Sequence, residues 1–542
     1  MMAAERVVLV GFGPVGARFA EQLLPEVRAE RIALTVVGLE PVDAYNRVLV
    51  ADYAVGHTDL ETMTVASSGE LAGAGVVVRL GTGVTAIDRA GRTVQLATGE
   101  EFPYDRLVLA TGARANVPTL DGVQKIRRDS RTLEKYGSTL LSGDDPLPAG
   151  VTVLRDLADA DTVRGVVRDA KRIVVLGAGV LGLEIALAAA REGAEVCVVH
   201  HGPVPMPRNL DRGGGTVLAA ALRRAGVTVI GQSRAEAIGF RTDGDDATPH
   251  FGFLTTADGK KIPGDLLLLS CGVSARTDLA ILAGLRVGAG IVVGRDLRSW
   301  SDDAVYAIGD CAQVLEPTEE LRLQKVLPGT PSGLIGPGWA QADWLAERFA
   351  DEVRGRVAEA APPAERVPIV MLKAEGVDVV AAGDVAGEPW DEEPPRCQGH
   401  DPGRRSVAQW ADPEHGRYVK MVTRGGVLEA FVCVGMPRTA AELAMLFERR
   451  SELPSDRSIL LRLDGPDSAT ASASDVFAPT ATVCWCNGVT VAAIEESVAS
   501  GSTTVACVGK DTRAGTGCGG CKRRIGELLS RFADPQEVPV AG

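Results

Sequence analysis

Short, mainly apolar runs recur through the first half of the chain, and most of them lead into a glycine turn. Arg6–Val10 runs into Gly11 and is followed by a helix-like stretch through Leu24, then by a second run over Ala33–Gly38. The pattern returns at Lys171–Leu176, ahead of Gly177 and an Ala-rich helical stretch to about Gly193, and again at Ala194–Val199 and Asp265–Ser270. Strands apolar at every position, not at alternate ones, are buried on both faces, as in a parallel sheet sandwiched between helices. The spacing therefore predicts an α/β chain with two Rossmann-like domains. Further on, Val367–Lys373 and Val377–Gly383 read as strands, and Arg417–Val422 with Val427–Val434 as a hairpin around Arg424–Gly426. A helix is expected from Ala440 to about Arg450. This part is a small α/β domain. Periodicity is lost over 463–482, where Ala, Ser, Asp and Pro dominate, which is linker composition. Helices over Val491–Ser500 and up to about Phe532 then frame a small C-terminal module. The charged, Pro-containing stretches 121–150 and 388–406 read as surface loops.

A chain of 542 residues exceeds one hydrophobic core. A net charge of −14 argues against nucleic-acid binding, which needs a basic surface. No apolar run approaches the roughly 18–20 residues that cross a bilayer, so no membrane partner is expected. The N-terminus runs from charged residues straight into a strand, unlike a signal peptide, and a cytoplasmic location is expected. Of ten cysteines, half crowd into the C-terminal module. In a cytosolic protein such crowding signals metal or redox chemistry more than disulfides.

Gly11-Phe-Gly13-Pro14-Val-Gly16 is a GxGxxG turn between a strand and a helix. Gly11 permits the tight turn, Gly13 admits a pyrophosphate to the backbone, and Gly16 lets helix and strand approach. The helix N-terminus supplies N–H donors and a positive dipole end. Glu40, after the second strand, is placed for ribose hydroxyls. Gly177, Gly179 and Gly182, followed by Glu184, repeat the arrangement. There the next strand ends at His200, where a carboxylate would accept from the 2′-hydroxyl of NADH. That leaves the choice between NADH and NADPH open. Two dinucleotides on two related domains are implied.

In the C-terminal module, Cys484 and Cys486 form a C-x-C pair, and Cys518 and Cys521 a C-x-x-C pair on a Gly-rich turn. Four convergent thiolates suit an iron–sulfur cluster or a structural zinc equally well by spacing alone. Cys507, between the pairs, reads as a small buried residue. Lys510, Arg513, Lys522, Arg523 and Arg524 make the module locally basic, either to balance the site's negative charge or to dock an acidic acceptor.

These motifs together resemble the two-dinucleotide flavoprotein reductases, and above all the NADH-dependent reductase portion of assimilatory nitrite and nitrate reductases. The resemblance implies FAD in the first domain and NAD(P)H in the second. Within Tyr45-Asn-Arg47, the arginine is similar to one lying close to the flavin. Val84 resembles a valine whose backbone meets the adenine, Thr111-Gly112 a second flavin fingerprint, and Asp310 an aspartate on the ribityl chain. Gly272 matches the glycine ending the NAD(P)H domain. The C-terminal motif resembles the bacterioferritin-associated ferredoxin module, a small helical [2Fe–2S] domain, and this decides for the cluster over zinc. The implied division is a FAD domain over 1–120 and 291–355, an NAD(P)H domain over 121–290, an interface domain over 356–462 and a cluster domain over 483–535. No side chain is assigned a catalytic role of its own, since the cofactors carry the chemistry. The segment 45–59 has no cysteine, which argues against disulfide reduction at the flavin. A cysteine array for sirohaem is also missing, so the chain is expected to pass electrons to a nitrate or nitrite reductase catalytic subunit. The interface domain often forms dimers in this family, making a homo-oligomer an expectation. The competing readings are a ferredoxin or rubredoxin reductase, or a small-molecule flavin oxidoreductase, with a structural or regulatory metal module.

Overall fold

The computed structural model describes residues 4–123, 146–242, 248–357, 367–374, 376–391, 405–464, 479, 481–484, 488–516 and 521–533. Its α/β character follows the apolar runs. In the first sheet, parallel strands lie in the order Asp302–Ala307, Arg106–Leu109, Glu5–Val10, Ile32–Gly38 and Val77–Leu80. Val7, Val8 and Leu9 are fully buried, because the helices Pro14–Arg28 and Ile335–Val353 pack together over the sheet. The second sheet is wholly parallel, in the order Val151–Val153, Leu266–Leu269, Arg172–Leu176, Glu195–Val199 and Thr228–Ile230.

The two domains are structural repeats. In each, the GxGxxG strand lies between its successor and a late-returning strand, and a three-stranded antiparallel ribbon is appended. The ribbons are Val84–Asp88, Thr93–Leu96 and Glu101–Pro103 in the first, and Ala235–Arg241, His250–Thr256 and Lys261–Pro263 in the second. The chain returns to the first domain earlier than residue 291. Ala280 and Leu285 already lie in the first core, since helix Asp278–Leu282 packs on strand Val84–Asp88.

Asp265 ties the second domain together. Its carboxylate accepts from the Arg172 backbone N–H at 2.8 Å and from the Arg241 guanidinium at 2.6 Å, joining three strands. Burial pulls this carboxyl upward, but the hydrogen bonds from Arg172 and Arg241 outweigh it and hold the pKa at about 2, against 3.8 for a free aspartate. A depressed folded value means stability that is present above pH 3.8 and lost as the pH falls through about 2. Asp265→Asn should therefore cost about 1–2 kcal/mol at neutral pH, with the gap from the parent closing toward acid. Urea melts across pH 2–7 check this, and a gap independent of pH would reject it.

The third sheet is antiparallel, ordered Ile369–Ala374, Val377–Ala382, Val427–Val434, Arg417–Arg424 and Arg405–Asp412, and is backed by helix Pro437–Glu448. Its outer strand begins at Arg405, where the sequence reading had the end of a loop. Alternation there is weak because every position is half-buried or exposed. Most of the loop stretches (124–145 and 392–404) and of the linker (465–478 and 480) lie outside the described residues. In the C-terminal module, a hairpin of Thr482–Cys484 and Val489–Thr490 precedes helices Val491–Ala499, Val505–Thr512 and Lys522–Ala533. The middle helix was not anticipated. No helix among the described residues is long and apolar enough to cross a membrane.

Candidate dinucleotide cradles and cysteine site

Each GxGxxG turn has the same three geometries. Gly11 has φ +114°, and a Cβ there would lie 2.1 Å from the Ala110 carbonyl oxygen. A Cβ on Gly16 would lie 2.1 Å from the Gly11 oxygen, whereas one on Gly13 would meet nothing within 4 Å. Gly177 has φ +117° and the Ser270 oxygen at 2.1 Å, Gly182 has the Gly177 oxygen at 2.6 Å, and Gly179 faces open space. So the outer glycines are demanded by the chain's own packing, and the middle ones only by something outside it. Gly13 and Gly179 also N-cap their helices with no side-chain hydrogen bond, leaving the first-turn N–H groups to face that space. Pro14 fits the first helical position, having no N–H to lose. These cradles fit a pyrophosphate.

Beside the first cradle, side chains from distant segments converge. Arg47, in the turn Arg47–Leu49, pairs with Glu40 and donates to the Arg155 carbonyl oxygen at 3.2 Å. Arg155 in turn donates to Asp310 at 2.9 Å and to the Ala113 carbonyl oxygen at 3.2 Å. Burial pushes the Tyr45 phenol up, so it stays protonated and donates to Glu40 at 2.7 Å. Thus Glu40, Arg47 and Asp310 form one polar chain. Val84 opens its strand nearby in sequence order after Gly83 and is half-buried. Arg155 was not singled out from the sequence. It follows strand Val151–Val153, and the C-terminal edge of a parallel strand is the only signal that could have drawn notice to it.

A short antiparallel pair, Ala113–Ala115 with Val273–Ala275, joins the two domains. It places the second flavin fingerprint against the end of the other domain: Thr111 Oγ1 donates to the Arg276 carbonyl oxygen at 2.8 Å, and Asn116 N–H to the Gly272 oxygen at 2.9 Å. Gly112 and Gly272 both have positive φ, at +71° and +86°, which the reversal requires. Glu184 follows Gly182 in helix Val180–Arg191 and is half-buried. His200 is only 6% exposed, and its Nδ1 has no hydrogen-bond partner. It borders a cavity of about 300 Å³ with Val204, Thr216, Arg223 and Gln232. Burial lowers its pKa, so at neutral pH it carries no charge.

Cys484 (1% exposed) and Cys521 (8%) belong to the module's own apolar core with Ile494, Val508 and Ile525. Cys521 stands immediately before helix Lys522–Ala533, whose positive end favours a thiolate. Two buried thiols in this setting fit a thiolate-bound centre. Cys486 and Cys518 lie outside the described residues. Cys507 is a correction: it is exposed, near the start of helix Val505–Thr512, where the sequence reading had it buried.

The family model for pyridine nucleotide-disulphide oxidoreductases matches residues 5–326, and that for BFD-like [2Fe–2S] binding domains matches residues 482–531. The chain is 27% identical over 533 residues to the NAD(P)H nitrite reductase of Bacillus subtilis strain 168, covering 97% of this chain and 58% of that one. It is 27% identical over 550 residues to that organism's assimilatory nitrate reductase electron transfer subunit, covering 99% and 62%. The chain thus spans about three fifths of the length of these relatives. Among solved structures, the covalent putidaredoxin reductase–putidaredoxin complex superposes with a TM-score of 0.62 at 23% identity, over 84% of this chain and 96% of that one.

Proposed function

The chain belongs to the pyridine nucleotide-disulphide oxidoreductase family, and from that premise we propose a specific route for its electrons. It is an oxidoreductase whose cofactors are FAD, NAD(P)H and a [2Fe–2S] cluster. Electrons enter at the second cradle, cross to the first, and leave through the C-terminal module to the catalytic component of a nitrate or nitrite reductase. The observation that carries this reading is the Ala113–Ala115/Val273–Ala275 pair, which sets Thr111–Gly112 against Gly272 and so brings the mouths of the two cradles together. Bound FAD would supply the chemistry that links a two-electron hydride donor to a one-electron cluster.

The chain's own residues bind and orient. The backbone N–H groups after Gly13 and Gly179 hold the two pyrophosphates. Glu40 would accept from the flavin's adenosine ribose, Val84 would flank the adenine, and Asp310, steadied by Arg155, would take the ribityl hydroxyls. Arg47 adds positive charge beside the isoalloxazine. Gly182 and Glu184 carry the second cradle's helix. His200, buried and neutral, neither accepts from a ribose 2′-hydroxyl as a carboxylate does nor repels a 2′-phosphate. Cys484, Cys486, Cys518 and Cys521 hold the cluster. No cysteine stands between Tyr45 and Asp59, so electrons have no dithiol to enter beside the flavin, unlike in a disulfide reductase.

Anaerobic reduction by NADH and by NADPH, followed optically and by EPR, tests the route. Flavin bleaching followed by a rhombic one-electron iron signal is expected. Zinc in place of iron, or iron that stays oxidised, would reject it. The partner is tested by supplying catalytic nitrate reductase or nitrite reductase as acceptor. Turnover with rubredoxin or ferredoxin but with neither of these would move the chain to the other class of reductase.

A further inference from the structure

The sequence suggests that the basic face of the C-terminal module balances its site's charge or awaits an external acceptor, but Arg513 is turned inward. Its guanidinium lies 3.3 Å from Glu21, on the same helix whose N-terminus forms the first cradle. Lys522 stands close enough to Asp59 for that carboxylate, held low first by hydrogen bonds from Thr62, to feel its charge. At the centre of this contact is Asn46, only 1% exposed. Its Nδ2 donates to the Thr516 carbonyl oxygen at 2.5 Å, while its Oδ1 accepts from the Val48 N–H at 3.1 Å and so caps the turn carrying Arg47. Thr516 belongs to the loop that folds back on the cysteine helix: a Cβ on Gly515 would lie 3.2 Å from Lys522 and 3.4 Å from Ile525. The module keeps its own apolar core, drawn from residues 483–528, so what joins it to the first domain here is polar.

Resting on the electron route proposed above, we propose that Asn46 and the Glu21–Arg513 pair are the internal docking contact that presents the cysteine module to the flavin cradle. Asn46 is its positioning residue. One buried amide fixes both the Arg47 turn and the loop leading to Cys521, so the donor and acceptor sides share a reference point. The inward-facing side of the module is where electrons enter it.

Two changes in the full-length holoprotein test this. Asn46→Asp keeps the acceptor for Val48 N–H but sets a carboxylate against the Thr516 oxygen. Losing a buried hydrogen bond should slow NAD(P)H-driven cluster reduction about tenfold in a single turnover. Iron content should stay at the parental value, and the flavin bleaching rate of the same variant is the reference against which the cluster step is read. Hydrogen–deuterium exchange should quicken in peptides spanning 46–49 and 513–516. Glu21→Arg, which breaks a half-exposed pair, should slow cluster reduction about threefold, and adding Arg513→Glu should restore it. Parental cluster reduction in Asn46→Asp, or slowed reduction with unchanged exchange, overturns the proposal. If NAD(P)H never reduces the iron of the unaltered protein, it is the electron route that fails. Exchange then decides the docking: lost protection in Asn46→Asp upholds it, and unchanged protection rejects it.

Discussion

Cys521→Ser is expected to stop electron delivery beyond the flavin while leaving NAD(P)H-driven flavin bleaching intact. Cys521 is 8% exposed, inside the module's core and at the head of helix Lys522–Ala533, so a hydroxyl there replaces a thiolate where no solvent ligand can enter easily. Disturbing residues that merely support metal ligands costs about 10- to 100-fold, so loss of a ligand should lower reduction of the protein acceptor by about 100-fold or more. Because folding and metal binding are linked, the module should also exchange amide hydrogens faster and bind less iron. Cys507→Ser is the matched control. That thiol is exposed and should be replaceable without effect on iron or turnover. Iron analysis, EPR and stopped-flow bleaching of both variants make the comparison. Full acceptor reduction by Cys521→Ser would place the module off the path.

The glycine turns offer the second large effect, split between two neighbouring positions. Gly11→Ala forces a side chain at φ +114° to within 2.1 Å of the Ala110 backbone oxygen, on strands at the centre of the first sheet. Backbone on both sides cannot yield, so about 3–5 kcal/mol of stability should be lost and the protein isolated without flavin. Gly13→Ala is the informative partner. Its φ is −81° and its Cβ would meet nothing within 4 Å, so the protein free of cofactor should melt as the parent does. Only a pyrophosphate lying against that backbone would feel the methyl. An overlap of about 1–3 kcal/mol would weaken FAD binding about 10- to 100-fold. Gly179→Ala should do the same to NAD(P)H, with FAD retained. Calorimetry of the apoprotein beside flavin-binding titrations separates the two glycines, and an unchanged flavin affinity in Gly13→Ala would remove the cradle from the site.

Much of this is legible in the linear sequence, for a simple reason. A strand buried on both faces must be apolar at every position, and a turn whose Cβ would clash with a carbonyl oxygen must be glycine. The apolar run is a local mark and the glycine spacing a recurrent one, so Val7–Val10 with Gly11, and Val174–Leu176 with Gly177, declare themselves in the linear order, although the carbonyls that exclude a side chain there belong to the distant Ala110 and Ser270. Closely spaced cysteines do so as well. Other features carried no such mark. Arg405–Asp412 is an outer strand whose half-exposed positions blur the alternation, and Cys507 sits on a helix of only eight residues, too short to show a period.

What only the tertiary structure decided concerns partners far apart along the chain. Arg155 is one arginine among many until Asp310, 155 residues on, is folded beside it. Asn46 looks like an ordinary turn residue until Thr516, 470 residues later, places a carbonyl oxygen against it. Local sequence fixes which backbone shapes are allowed, because sterics act between neighbours. Which charges and amides meet depends on how whole sheets and modules pack, and a single sequence does not encode that at any one position.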